Sequence, residues 1–379
     1  MREYGFSIGR ERFDSHRPLI IAELGTGHGG SAAKAGELIH AAVEAGADCV
    51  KFQHVYADEI IHPNTGLVPL PGGPIPLYKR FQELETSPDF LASIKAEVER
   101  RGAIFLCTPF GLRSAQELRA LGVSAMKLAS PELNHLPLLA ELASYGLPTL
   151  LSSGVSTLAD IEAAILAFRR GHPERYGSGS EALALLHCVT AYPAPEEDYG
   201  LRVLKPLSTL FGLAVGVSDH SMDPVLVPAL ATAVGSCAIE KHFCLSRGDP
   251  GLDDPIALEP AAFARMCQAL RSIAAMDPAL AIEELSREFG VHRVQAVLGS
   301  GEKRLAPSEE ANYGRTNRSL HALRYIKAGE TLSQGMLALL RTEKVLRPGL
   351  APAFMALAIG RRAARDIPSG EGVEWDDLA

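Results

Sequence analysis

Apolar residues fall along this chain in short runs, separated by stretches with helical spacing. The runs are LIIAEL (19–24), CVKFQ (49–53), AIFLCTP (103–109), AMKLAS (125–130), TLLSSG (149–154), ALLHCVT (184–190), LAVGVSDH (213–220) and CAIEKHFC (237–244). They are apolar on both faces, as strands covered on both sides must be. Between most of them, apolar residues recur every three or four positions, over 31–47, 89–102, 112–122 and 157–171. Ser31, Asp89 and Thr157 suit helix N-caps, and Gly102, Gly122 and Gly171 suit C-terminal stops. Eight strand–helix units predict an α/β fold with parallel strands and outer helices, closed as a (β/α)8 TIM barrel. An open doubly wound sheet is the alternative. It would usually carry a Gly-rich fingerprint after its first strand, and GTGHGG (25–30) has the wrong spacing for GxGxxG.

The pattern changes after about Glu283. GSGEKRLAPSEEANYGRTN (299–317) is polar and suits a linker. Beyond it, RSLHALRYIKAGETL (318–332) and GRRAARDIPSGEGV (360–373) read as short strands joined by turns at KAGE and PSGE, two copies of a similar device. The expected organisation is a barrel domain over 1–290, a linker over 291–314 and a small, mainly β domain over 315–379. That last part carries ten Lys/Arg and seven Asp/Glu, a formal +3 within a chain whose total is −8.

Length and composition narrow the function. A chain of 379 residues with 47% hydrophobic content can fill a large core. No run approaches the roughly 20 uncharged apolar residues of a membrane span, and the first residues lack the apolar region of a signal peptide, which predicts a cytoplasmic protein. The six cysteines (49, 107, 188, 237, 244, 267) are scattered without a CxxC pair and read as buried thiols. The net negative charge argues against nucleic-acid and anionic-membrane partners, which need a basic face.

Candidate chemistry gathers where strands end, because polar residues there face the mouth of a barrel. The strand ends supply Glu23, Lys51 with Gln53, Thr108, Lys127 with Ser130, Ser152 with Ser153, His187 with Thr190 and Tyr192, Asp219 with His220, and Glu240, Lys241 and His242. A packed barrel has no structural need for so many ionisable groups on neighbouring strands. His220 and His242 close adjacent strands and could converge on one divalent cation with open positions for substrate and water. Lys51 and Lys127, with the hydroxyls of Ser130 and Ser152, suit a phosphate plus a carboxylate. Two other readings of the lysines stand beside it: an internal salt bridge to Glu23 or Glu240, and a Schiff-base nucleophile at Lys51, Lys127 or Lys241. Strand alternation turns Lys241 away from His242 as an ion-pair partner, and Glu240 is expected to support the site from behind.

These segments, with AGADCVKFQ (45–53), IFLCTPF (104–110), LHCVTAYPAP (186–195), IEKHF (239–243) and RPG (347–349), resemble the sialic acid synthases, the N-acetylneuraminate synthase family. The resemblance covers nearly the whole chain, and the small domain resembles that family's antifreeze-like (SAF) domain. It implies condensation of phosphoenolpyruvate with an N-acylated aldose and release of phosphate. His220 and His242 match the ligands of the catalytic Mn2+ or Mg2+, and Glu23 matches a carboxylate near the metal and the reacting carbons. Lys51, Lys127, Ser130 and Ser152 match phosphoenolpyruvate-binding groups, with Gln53 and Thr108 beside them. Tyr192 and Asp253 match substrate-side positions. Arg347 matches an arginine given to the partner subunit's site in a domain-swapped homodimer.

Three departures lie on the sugar side. GTGHGG replaces the family's usual GINHNG, keeping His28; Thr190 stands where an Asn is common; and the loop over 66–83 has Gly and Pro where a substrate-contacting Asn is expected. They imply an aldose other than N-acetylmannosamine, as in synthases resembling those of legionaminic acid, pseudaminic acid or spore-coat polysaccharide. A metal-independent Schiff-base aldolase and a catalytically silent glycan-binding protein are the alternatives from other classes.

Overall fold

The computed structural model describes residues 4–70 and 73–379. Eight parallel strands form one sheet: β1 (Leu19–Gly25), β2 (Cys49–His54), β3 (Ile104–Pro109), β4 (Met126–Leu128), β5 (Thr149–Ser152), β6 (Leu183–Cys188), β7 (Ala214–Asp219) and β8 (Ala238–His242). They coincide with the eight apolar runs. β8 pairs with β1, so the sheet curls into a barrel. β3 and β4 lie side by side without ladder bonds, which leaves a seam.

The caps follow local chemistry. Ser31 accepts from Lys34 N and Thr157 from Asp160 N. Asp89 is not a cap. Ser87 is, accepting from Phe90 N at 3.2 Å, because Pro88 takes the first helical position, where a missing N–H costs nothing. Gly102 and Gly122 follow helix ends with φ of +78° and +70°, whereas Gly171 is the last residue of the helix Leu158–Gly171 and His172 caps it.

Alternation divides the barrel interior into two halves. Leu19, Ile21, Cys49, Leu106, Leu150 and Leu186, with alanines 125, 184, 214 and 238, point inward and pack as one apolar cluster. The small residues leave room for Phe6 and Phe13, both fully buried, which a hairpin of Phe6–Ile8 and Glu11–Phe13 inserts from below. Losing either ring would cost about 3–5 kcal/mol. Gly216 belongs to this layer because a Cβ there would lie 2.6 Å from the Ala238 carbonyl. Above the plug, the same inward faces carry Glu23, Lys51, Lys127, Ser152, Ser218 and Glu240, all buried. The outward faces pack on the helices in a second, larger core.

The expected linker begins later than residue 291. Helix Val291–Leu298 places Val294, Val297 and Leu298 in the barrel's outer core, so the irregular segment starts at Gly299. In the small domain, Ser319–Ala322 pairs antiparallel with Leu337–Leu340. The KAGE and PSGE turns are related across a bridge in which Ile326 and Ile367 exchange hydrogen bonds of 3.0 and 2.8 Å. This domain docks on its own barrel through charge. Arg318 is fully buried, its guanidinium 2.6 Å from Glu132 Oε1 and bonded to the carbonyls of Ile60 and Phe110. Arg341 meets the same carboxylate at 2.7 and 2.8 Å.

Candidate active site

The strand register brings the charged residues into one layer. His242 pairs in register with Glu23, Glu23 with Lys51, and Glu240 with Ser218. The register between β1 and β2 shifts between Glu23 and Gly25, an irregularity at the end of β1. Lys51 Nζ lies 3.2 Å from Glu23 Oε2 and 3.0 Å from Glu240 Oε1. Lys127 Nζ donates to Ser152 Oγ at 2.7 Å and to the Leu128 carbonyl at 3.1 Å, with Glu240 Oε1 3.7 Å away. Ser218 donates to Glu240 at 3.1 Å, and Gln53 to Glu23 at 2.6 Å.

Glu240 therefore forms the pocket floor, instead of supporting it from behind. Its parity is that of His242, two residues on, so both face inward while Lys241 faces out. Lys241 pairs with Asp219 at 2.5 Å and with the Ser221 carbonyl at 2.5 Å, outside the barrel wall. The internal salt bridge weighed for the lysines is also present, so an anion entering here meets lysines already facing carboxylates.

The floor is built at an electrostatic cost. Burial works against the charge on Lys51, but Glu23 and Glu240 outweigh it and hold its pKa above the ordinary lysine range. Burial dominates at Lys127, bringing it down to about 8 against the pull of Glu240. Burial also opposes ionisation of Glu240, yet Lys127 and Lys51 keep its pKa low. Three buried polar atoms at this pocket, Glu23 Oε2, Glu240 Oε2 and Thr108 Oγ1, have no hydrogen-bond partner, although Glu23 Oε2 lies 3.2 Å from Lys51 Nζ. Buried polar atoms are seldom left so unless a ligand completes them.

At the rim, the His220 and His242 rings lie 5.4 Å apart between centroids. Tyr192 stacks on His220 at 4.3 Å and meets His242 edge-on at 6.0 Å. His220 Nδ1 donates to the Val189 carbonyl at 2.7 Å, which leaves Nε2 free of the backbone. His242 Nδ1 is 3.9 Å from Asp253 Oδ2. Burial disfavours charge on both rings. At His220 the Cys188 sulfur, 3.8 Å away, and the Val189 carbonyl outweigh burial and raise it to about 9; at His242 burial and the neighbouring His220 lower it to about 3. Once His220 gives up its proton, the two imidazoles offer nitrogen ligands across a space that suits a divalent cation with open oxygen positions. Among the described residues, no group of three or more His, Cys, Asp or Glu forms a complete metal shell.

The structure brings together Glu23, Lys51, Gln53, Thr108, Lys127, Ser130, Ser152, Thr190, Tyr192, His220, His242 and Asp253. Around Gly154, a Cβ would lie 2.0 Å from Thr190 Oγ1, 3.0 Å from Ser130 Oγ and 3.1 Å from Cys188 Sγ, so only glycine fits where these groups meet. Cys188 and Ser218 were not singled out for this pocket, although alternation from Ala184 and Ala214 points both inward. Arg347 is not at this chain's pocket. It is one-third exposed and bonds to Asp377 and to the Gly372 carbonyl, each at 2.6 Å. His187 faces outward, bonded to the Tyr199 carbonyl at 2.6 Å. His28 packs on Phe90 and Phe52 and accepts from Gly30 N, holding its turn instead of reaching the pocket; burial and Lys34 lower it to about 4. Of the 66–83 loop, residues 71–72 lie outside the described residues.

The chain is similar to known proteins along nearly its whole length. Residues 38–279 match the model of the NeuB family, and residues 317–379 match the SAF domain. The chain is 33% identical to spore coat polysaccharide biosynthesis protein SpsE of Bacillus subtilis, covering 98% of this chain and 97% of that one. It is 31% identical to the N,N'-diacetyllegionaminic acid synthase of Legionella pneumophila, covering 97% of each. The crystal structure of the Bacillus subtilis SpsE protein superposes with a TM-score of 0.80 over 99% of both chains, at 32% identity. The chain belongs to the NeuB family and carries a C-terminal SAF domain.

Proposed function

We propose that this protein condenses phosphoenolpyruvate with the open-chain form of an N-acylated amino sugar, giving a 2-keto-3-deoxy sugar acid and inorganic phosphate. The observation that carries this reading is the buried layer of Lys51, Lys127, Glu23 and Glu240 beneath two facing histidines, with Thr108 Oγ1 and Glu240 Oε2 unpaired. Relatives named as legionaminic acid and pseudaminic acid synthases support the substrate class.

In this reading Lys51 and Lys127 bind the anionic substrate, with Ser130, Ser152 and Thr108 orienting its phosphate and carboxylate. The electron pair of the enol forms a bond from C3 to the aldehyde carbon. Water adds at C2, and phosphate leaves with C–O cleavage. A divalent cation, Mn2+ or Mg2+, held by His220 and His242 would polarise the aldehyde oxygen. Glu23 lies beside His242 in register and is positioned to take a proton from water. Tyr192 and Asp253 line the sugar side. Arg347 serves the partner subunit of a swapped homodimer. Phosphoenolpyruvate as substrate points to the cytoplasm.

Phosphate release from phosphoenolpyruvate across a panel of aldoses tests the reading. Turnover is expected with a diacetamido or otherwise modified hexose. Best turnover with N-acetylmannosamine would overturn the changed sugar, and no release with any aldose would overturn the synthase.

A further inference from the structure

The segment that joins the two domains crosses the C-terminal rim of the barrel and reaches into it. Glu309 is buried there. Its Oε1 accepts the N–H groups of Val155 at 2.7 Å and Thr190 at 2.6 Å, and Oε2 that of Ala306 at 3.3 Å. The carbonyls of the same two residues are held by the same segment: Asn317 Nδ2 donates to Val155 O at 3.2 Å, and Asn312 Nδ2 to Thr190 O at 3.1 Å. Both peptide groups of Val155 and of Thr190 are therefore gripped by side chains from outside the barrel.

Val155 needs such a grip. Its φ is +43°, a region in which a β-branched residue crowds its own backbone and persists only when its surroundings enforce it. The strained turn follows directly on the end of β5. It places Gly154 N–H 3.0 Å from Ser130 Oγ, beside the serine that meets Lys127. Thr190 Oγ1 closes over Gly154 from β6's end.

We propose that Glu309 is a positioning residue for the phosphoenolpyruvate half of the pocket: it enforces the left-handed turn at Val155 and anchors Thr190, and so fixes the hydroxyls of Ser130 and Ser152 against Lys127. The proposal rests on the phosphoenolpyruvate reading given above. Arg318 follows Asn317 in sequence and is buried on Glu132, two residues from Ser130. The linker and the first residue beyond it thereby grip the loops after β4, β5 and β6 at once.

The test uses the full-length chain and phosphoenolpyruvate alone, titrated by calorimetry. Glu309→Ala is expected to weaken binding about tenfold or more, while Glu309→Gln, which keeps an acceptor oxygen, stays within about threefold. Because glycine adopts the turn without enforcement, the loss caused by Glu309→Ala is expected to shrink at least about threefold in a Val155→Gly background. Equal losses in both backgrounds, or wild-type affinity in Glu309→Ala, would overturn the proposal. If the alanine variant does not fold, Glu309→Asp reads the same cycle. If the wild type itself fails to bind phosphoenolpyruvate, the functional reading fails first. Hydrogen exchange then decides the positioning role: Val155 and Thr190 amides should lose protection in Glu309→Ala while the β6 amide of Leu186 keeps it, and unchanged protection at both would overturn it.

Discussion

Lys51 and Glu240 meet across the barrel floor at 3.0 Å, and the same carboxylate lies 3.7 Å from Lys127. One buried acid thus faces both lysines assigned to the anionic substrate. Removing one partner of a buried ion pair strands the other, so Glu240→Gln should lower stability by about 3–5 kcal/mol. Phosphoenolpyruvate would then supply the missing negative charge. The rise in Tm on adding it should be larger in Glu240→Gln than in the wild type; an equal or smaller rise would show that the ligand does not sit on these lysines.

Lys127 predicts a pH dependence. Burial lowers it to about 8, so its charge is present below that pH and lost as pH rises through it. Phosphate ionisation is already complete there, with a second pKa near 6. The Kd for phosphoenolpyruvate should therefore increase above about pH 8, by at most about tenfold per unit. Lys127→Met should weaken binding about 10–100-fold and remove this alkaline limb. A wild-type Kd flat from pH 7 to 9.5 would contradict the assignment.

Removal of divalent cations should abolish phosphate release, and Mn2+ should restore it. His220→Ala and His242→Ala should each lower kcat about a hundredfold or more, because several kcal/mol of charge stabilisation depend on the cation. Direct Mn2+ titration followed by electron paramagnetic resonance separates loss of the ion from loss of fold. Full activity in a chelator would favour a metal-free aldolase.

Arg347→Ala should raise the KM of the aldose while leaving that of phosphoenolpyruvate unchanged. Its present partners, Asp377 and the Gly372 carbonyl, belong to the small domain. If Tm falls and the sugar KM does not move, the residue holds that domain together and has no part in the partner's site.

Much of this was legible in the chain because a strand's period of two is rigid. Once CAIEKHFC is a barrel strand, Ala238, Glu240 and His242 share a face and Lys241 takes the other; that Glu240 meets Lys51 and Lys127 depends on which strands lie across the barrel, and alternation along one strand does not give that. His187 follows the same alternation, since it shares its parity with the outward Leu183 and Leu185. The eight runs themselves could hardly be missed, because parallel strands covered on both sides are apolar along most of their length and gather their polar residues toward the C-terminal ends. Glu309 was illegible for a different reason. Its partners Val155 and Thr190 lie far away in sequence, and a polar segment bearing Pro and Ser looks the same whether it floats or grips.

The shared carboxylate of Glu132 also bears on how the chain can be divided. A barrel cut free of residues 315–379 would open that acid and the Phe110 carbonyl to water. It would also lose Asn317, and with it one of the bonds that hold Val155. The domain boundary visible in sequence therefore runs through contacts that support the pocket, because Asn317 and Arg318 lie on one side of it and Val155, Phe110 and Glu132 on the other.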